Sequence, residues 1–308
     1  MGGNVFDNSQ PIKKANIKPT LKEFFKELKR IFPGASEYLD HTALLGSAGK
    51  KDFSGDIDIA LSQDSVKDPN IWGIGPGRVD ELYREFKGRA KTATDKQLKR
   101  RATLTAIAEK AEKSSDKLTI NNKNAGAGTI FFQFPQYKKE GEKDSEKKVQ
   151  IDLNVGDLEW LKFSYYSDKY SEKNVKGLHR TQLIVALLAN KGYTFYHNLG
   201  VKNKETGQVE ITKPEDVVGL LSKLYECTFT LDILKNYWKL SEFIEKHLDE
   251  DELKKVYKIY LGILDHTKNT DIPDGEIMNT WLDNQADWDL TGKNLPKDSK
   301  LYAFRDVY

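Results

Sequence analysis

Leu44-Leu45-Gly46-Ser47-Ala48-Gly49-Lys50-Lys51-Asp52-Phe53-Ser54-Gly55-Asp56-Ile57-Asp58-Ile59-Ala60-Leu61 reads as strand, glycine-serine turn, short loop and strand. Side chains alternate between the two faces of a strand. Ile57, Ile59 and Leu61 therefore share one face of the second strand, and Asp56, Asp58 and Ala60 share the other. A folding argument alone does not call for two carboxylates side by side. They repel each other, and Asp is disfavoured in strands. A cation between them would remove the repulsion, and hard oxygen ligands suit Mg²⁺ or Mn²⁺. The plainer alternative is a hairpin carrying a solvated Asp pair.

The turn supplies a second component. Gly46 permits close backbone approach, Ser47 offers an N–H and a hydroxyl, and Gly49 and Gly55 keep the loop free of bulk. Backbone N–H groups in such a turn can cradle a phosphate, and Lys50 and Lys51 add positive charge. The glycine spacing is not that of a Walker A loop, and no Gly-Lys-Ser/Thr triplet opens a helix.

With Leu45-Gly46-Ser47 followed by Asp56-Ile57-Asp58-Ile59, the stretch resembles the signature of the DNA polymerase β-like nucleotidyltransferase superfamily. The resemblance implies an α+β fold: a small mixed β-sheet lobe with flanking helices, followed by a mostly helical lobe. It implies transfer of a nucleoside monophosphate from an NTP to a hydroxyl acceptor, with two Mg²⁺ or Mn²⁺ ions held by Asp56, Asp58 and a third carboxylate on a later strand. Gly46, Ser47, Lys50 and Lys51 would then face the nucleotide's phosphates. A metal-dependent glycosyltransferase fits less well, because nothing reads as a doubly wound sugar-nucleotide domain.

The third acid is sought in Val149-Gln150-Ile151-Asp152-Leu153-Asn154-Val155, where apolar and polar residues alternate after a charged, glycine-containing run. This pattern predicts a long hairpin with Thr129 to Tyr137. Asp152 is the carboxylate inside that strand, on its polar face; Asp157, beyond Gly156, is the fallback.

Upstream, residues 1 to 19 are expected to form an arm. The capping box Thr20-Leu21-Lys22-Glu23 predicts a helix start, with Leu21, Phe24, Phe25, Leu28, Ile31 and Phe32 at helical spacing and Pro33-Gly34 as the stop. His41 to Leu45 reads as the first strand. The glycines of Trp72-Gly73-Ile74-Gly75-Pro76-Gly77 follow no clear strand, so this segment reads as a mobile loop rather than a dinucleotide fingerprint. Thr94 to Lys113 reads as a helix carrying Lys96, Lys99, Arg100 and Arg101. That row suits phosphate-backbone contact with an RNA acceptor. It also suits a solvated face balanced by Asp95, Glu109 and Glu112.

The 308 residues suggest two domains, divided as 1–163 and 164–308. In the second, Leu178 to Lys191 is an apolar helix opening at Lys176-Gly177-Leu178-His179-Arg180. Helix starts bearing cations favour phosphate, and related enzymes draw basic residues for the triphosphate from this lobe, so Lys176, His179 and Arg180 are candidates. Capping or packing is the plainer role for His179, and an ion pair for Arg180. A capping box at Thr212-Lys213-Pro214-Glu215 and helices over Asp216–Leu224, Leu231–His247 and Asp251–Leu264 follow.

Net charge is only +2, so any nucleic-acid surface must be a local patch. Cys227 is the lone cysteine, which excludes an intrachain disulfide and suits a reducing cytoplasm. The apolar run Leu183 to Ala189 is too short to span a membrane, and the first residues lack a signal-peptide core. The two-lobed order resembles poly(A) polymerases and tRNA nucleotidyltransferases, which implies an RNA 3′ end as acceptor. Small molecules, proteins or a second nucleotide stay open, as does a non-catalytic nucleotide- or RNA-binding role. Oligomeric state stays open too.

Overall fold

A computed structural model describes residues 5–89, 93–167 and 177–266 of the chain. Helices and several sheets combine in an α+β arrangement. Spatially the chain divides into a unit that runs through residue 164 and takes back residues 196–199, and a unit of residues 165–195 and 200 onward.

The first unit begins with β1 (Ile12–Lys13), α1 (Lys14–Ile31), α2 (Ser36–Asp40), β2 (Ala43–Leu44), β3 (Phe53–Ser54) and β4 (Asp56–Ser62). It continues with α3 (Pro76–Arg89), α4 (Asp95–Ser114), β5 (Thr119–Asn121), β6 (Thr129–Lys139), β7 (Glu142–Gly156) and α5 (Leu158–Ser164). Five strands form a mixed sheet in the order β2-β4-β7-β6-β5. β4 and β7 run parallel in the register Asp56↔Gln150, Asp58↔Asp152 and Ala60↔Asn154, and the other pairs are antiparallel. The two strands are bridged by a long crossover, as parallel pairing requires.

Alternation along the strands gives the sheet an apolar and a polar face. Ile57, Ile59, Ile151, Leu153, Ile130, Phe132 and Phe134 belong to the buried core. α1 packs there: the Phe24 ring meets Phe132 and Phe134 edge-on at 5.3 and 5.4 Å. Burying one such side chain contributes about 1.5–3 kcal/mol. α4 buries Leu98, Ala102, Leu104 and Ile107 in the same core. The other face carries Asp56, Asp58, Gln150, Asp152, Asn154, Thr129 and Gln133, with Ala60 and Phe131 among them.

Several local expectations are corrected. α1 starts at Lys14 with no side-chain cap and contains Pro19. Thr20 does not cap it: the Thr20 hydroxyl instead accepts from Tyr137 N at 2.9 Å. Buried Ile17, and Asn16 donating to Asp144 at 2.9 Å, anchor the first turn despite the proline's missing N–H. The strand expected over His41 to Leu45 is only Ala43–Leu44, and Ile12–Lys13 precedes it as a strand in the segment expected to be an arm. The Trp72 region is packed rather than mobile, because the Trp72 indole is buried, donates to Ser65 O at 2.6 Å and meets Phe32 edge-on. α4 does carry a capping box, from Thr94 and Gln97.

The second unit contains α6 (Gly177–Asn190), a three-stranded sheet of β8 (Tyr193–Tyr196), β9 (Gly200–Asn203) and β10 (Val209–Ile211), then α7 (Pro214–Tyr225), α8 (Leu231–Lys235), α9 (Tyr237–His247) and α10 (Glu250–His266). Its core joins Leu183, Ile184, Leu187 and Leu188 of α6 to Val256, Tyr257 and Tyr260 of α10. α7 has Pro214 in its first turn, but Lys213 precedes it without a side-chain cap, so the expected box is not formed. The helix expected over Leu231–His247 is two helices. Thr230 caps the first, and Asn236, in extended backbone, accepts from Lys239 N and caps the second. The tail from Gly292 lies outside the described residues. Among the described residues, no helix is long and apolar enough to cross a membrane.

Candidate functional site

The polar face of the sheet gathers the acidic residues singled out in the sequence. Asp58 and Asp152 lie opposite each other across the parallel β4–β7 pair, and Asp56 precedes Asp58 by two residues on the same face. Asp152 is buried, and Asp58 and Asp56 are partly buried. Burial raises the Asp58 carboxyl well above the ordinary carboxylate range, and the neighbouring Asp56 charge raises it further. Burial also raises Asp152, with the charges of Asp58 and Asp56 adding to it. In both cases burial penalises the charged form, and the hydrogen bonds from Asn154 and Gln150 offset only part of that penalty.

Each of these two carboxylates is held by a buried amide. Gln150 Nε2 donates to Asp152 Oδ1 at 2.7 Å, and Asn154 Nδ2 donates to Asp58 Oδ1 at 3.2 Å. Asn154 is held in turn: the Thr129 hydroxyl donates to its Oδ1 at 2.8 Å, and Asn198 Nδ2 donates to the Thr129 hydroxyl at 3.0 Å. Gln150, Asn154, Thr129 and Asn198 were not singled out in the sequence. The one available signal was that Gln150 and Asn154 share Asp152's strand face. Asp157 is not on that face; its side chain accepts from Glu159 N and Trp160 N, both at 3.0 Å, and so caps α5.

The glycine-serine turn lies against the carboxylates. Leu45 N donates to Asp58 O at 2.9 Å, which fastens the turn to β4. Gly46 has φ +63°, in the left-handed region, and a Cβ placed there would stand 3.1 Å from Asp58 Oδ2. Glycine thus brings the backbone beside the carboxyl oxygen where a side chain would crowd it. Ser47 O accepts from Lys50 N at 3.0 Å, closing the turn that carries Ser47, Lys50 and Lys51.

The donor set fits a hard divalent cation: carboxylate oxygens, partly desolvated and close enough to raise one another's pKa. Among the described residues, no group of three His, Cys, Asp or Glu side chains is gathered as a preformed metal cage. Mg²⁺ commonly needs no such cage, being held by one or two carboxylates together with substrate phosphates and water.

The remaining candidates separate by position. On α4, Lys96, Lys99 and Arg101 are exposed, and the Arg101 guanidinium lies 4.1 Å from the Phe86 ring centroid. Arg100 turns inward, against Gly128 and within 3.4 Å of Gly126 O, and burial lowers its pKa to about 10. It remains a cation at neutral pH but presents less of its guanidinium to solvent than its neighbours do. His179 and Arg180 are 1% and 2% exposed. His179 Nδ1 bonds the Tyr260 hydroxyl at 3.0 Å, and Arg180 Nε donates to Leu234 O. These contacts correct the expectation that both present donors to a triphosphate: they bind together the interior of the helical unit. Lys176 lies outside the described residues. No family model and no curated protein matches this chain.

Proposed function

We propose that the chain is a metal-dependent nucleotidyltransferase of the DNA polymerase β-like type, with a catalytic lobe followed by a helical lobe. The observation that carries this reading is the seating of the Gly46 turn against Asp58, with Asp152 opposite and Asp56 alongside. A phosphate-cradling turn and a cation-seeking carboxylate cluster within one side chain's reach suit a nucleoside triphosphate and its metal. Asp56, Asp58 and Asp152 would hold two Mg²⁺ or Mn²⁺ ions. Bound there, these lower the pKa of the acceptor hydroxyl and offset charge on the leaving pyrophosphate. The protein's own groups hold the parts in place. The N–H groups and hydroxyl at Gly46 and Ser47 take the outer phosphates, Lys50 and Lys51 add positive charge, and the Gln150 and Asn154 amides orient two of the acids. In the reaction the acceptor hydroxyl would give up its proton to water as its oxygen bonds the α-phosphorus, and the bond from the α-phosphorus to the α–β bridging oxygen would break, its electron pair leaving on pyrophosphate.

The acceptor we favour is an RNA 3′ end in the cytoplasm. Exposed Lys96, Lys99 and Arg101 support it, since cations in a row suit a phosphate backbone. The test is incubation with each α-labelled NTP, Mg²⁺ or Mn²⁺ and total RNA. Labelled RNA is expected from wild type and none from Asp58→Asn. Label appearing instead on a small molecule, a protein or a second nucleotide overturns the acceptor. No metal-dependent NTP binding at all overturns the enzyme reading.

A further inference from the structure

Residues Val5–Lys13 lie across the strands that carry the acids. β1 pairs with β3, immediately before β4, in the register Ile12↔Ser54 and Lys13↔Phe53. Ser9 bridges to Lys148 of β7, and Gln10 N donates to Lys148 O at 2.8 Å. Two glutamines of β6 fasten the same segment: Gln133 Nε2 donates to Ser9 Oγ at 3.1 Å, and Gln136 Nε2 to Gln10 O at 3.0 Å. At its far end Val5 N donates to Gln150 Oε1 at 3.0 Å.

That last bond falls on the amide that holds Asp152. Gln150 is 2% exposed, so its amide has few alternative partners. A glutamine amide is two-ended, with an oxygen that accepts and a nitrogen that donates. The Val5 N–H takes the oxygen, which leaves the nitrogen facing Asp152 Oδ1 at 2.7 Å. Turned over, the amide would aim its oxygen at a carboxylate and repel it. We propose that Val5–Lys13 is a strap that completes the site, in which the Val5 N–H orients Gln150 and Gln150 acts as the positioning residue for Asp152. The proposal rests on the metal-site reading given above. Its consequence is that the Asp152 geometry depends on a segment far away in the chain, with Val5 and Gln150 145 residues apart.

Val5→Pro tests the strap most directly, because it removes one N–H and alters no side chain of the site. Val5→Ala keeps the N–H and serves as its control, and Gln150→Ala removes the amide. Mn²⁺ binding to the NTP-free full chain is read by electron paramagnetic resonance, with circular dichroism reporting the fold. Partners that orient a metal ligand typically contribute 10–100-fold to metal affinity, so Gln150→Ala is expected to weaken Mn²⁺ binding by about tenfold. Val5→Pro should weaken it in the same direction by a smaller factor, and Val5→Ala should leave it unchanged. Wild-type affinity in both Val5→Pro and Gln150→Ala, with loss in Asp152→Asn, overturns the strap and leaves the metal site standing. Wild-type affinity in Asp152→Asn as well, or no Mn²⁺ binding by the wild type, overturns the underlying reading. If Gln150→Ala fails to fold, Val5→Pro against Val5→Ala still decides the question.

Discussion

Asp152→Asn is expected to make the metal-free protein more stable at mildly alkaline pH. Asp58 and Asp152 face each other on neighbouring strands. Strand spacing puts such groups ~5 Å apart, and two unit charges at that distance with an effective dielectric of 20 repel by ~3 kcal/mol. Asp58 is partly solvated, so solvent screening reduces this to about 1–3 kcal/mol. The substitution is nearly isosteric, and the amide oxygen of Asn can still accept from Gln150. The sign follows from proton linkage. Asp152's pKa is 3.8 in its ordinary setting and is pushed up to about 8 in the fold. Between those values the native state binds more protons than the unfolded state, so wild-type stability falls as pH rises. The variant carries no such penalty. Its advantage should be near zero at pH 4, grow through neutrality and level off above pH 8. Thermal and urea unfolding in EDTA across this range would measure it. For a unit of this size, 1 kcal/mol moves Tm by about 2–4 °C. Mg²⁺ with NTP at 100 times its Kd should stabilise wild type by about 2.7 kcal/mol, offsetting most or all of the variant's advantage. A variant less stable than wild type in EDTA at pH 8 would refute the argument, because the carboxylate would then be serving the fold.

Gly46→Val should cost about 1–2 kcal/mol from left-handed backbone and abolish Mg²⁺-NTP binding by crowding Asp58, as calorimetry would register. Phe24→Ala should destabilise by about 3–5 kcal/mol in urea unfolding yet leave Mn²⁺ affinity intact, since the ring packs on the opposite sheet face. Lys96→Ala/Lys99→Ala should flatten the salt dependence of RNA binding by about one unit per lost phosphate contact, seen by filter binding at two salt concentrations. NTP affinity should not move. His179→Gln should leave NTP affinity unchanged and lower stability by about 1 kcal/mol through the bond to Tyr260.

What local pattern determines was legible. The alternation of Asp56–Leu61 and of Val149–Val155 placed their acids on one face of each strand, because the two-residue period needs no knowledge of partners. The pairing of those strands with each other depends on contacts across most of the first unit, which no window of sequence contains. Thr20 carried a capping pattern that the chain does not use: the helix already begins at Lys14, and the Thr20 hydroxyl accepts from Tyr137 N. His179 and Arg180 looked like phosphate ligands from the cationic helix start. The apolar residues on several sides of that helix were the better guide, since such a helix is buried even at polar positions. Gln150 and Asn154 gave only the weak signal of sharing Asp152's strand face, because an amide in an alternating strand is ordinarily a solvent-facing residue.

The parallel pairing of β4 with β7 also governs when the site comes into being. Asn154 and Asp58, joined in the folded protein, are 96 residues apart in sequence. Closing a loop of that length is slow compared with forming a hairpin or a helix, because its entropy cost precedes any reward. A ribosome-bound chain released only through β4 carries two of the three acids and lacks β7, the strand that brings Asp152. If the acids hold metal as proposed, that competence would arise late, when the crossover closes and Asp152 comes beside Asp58.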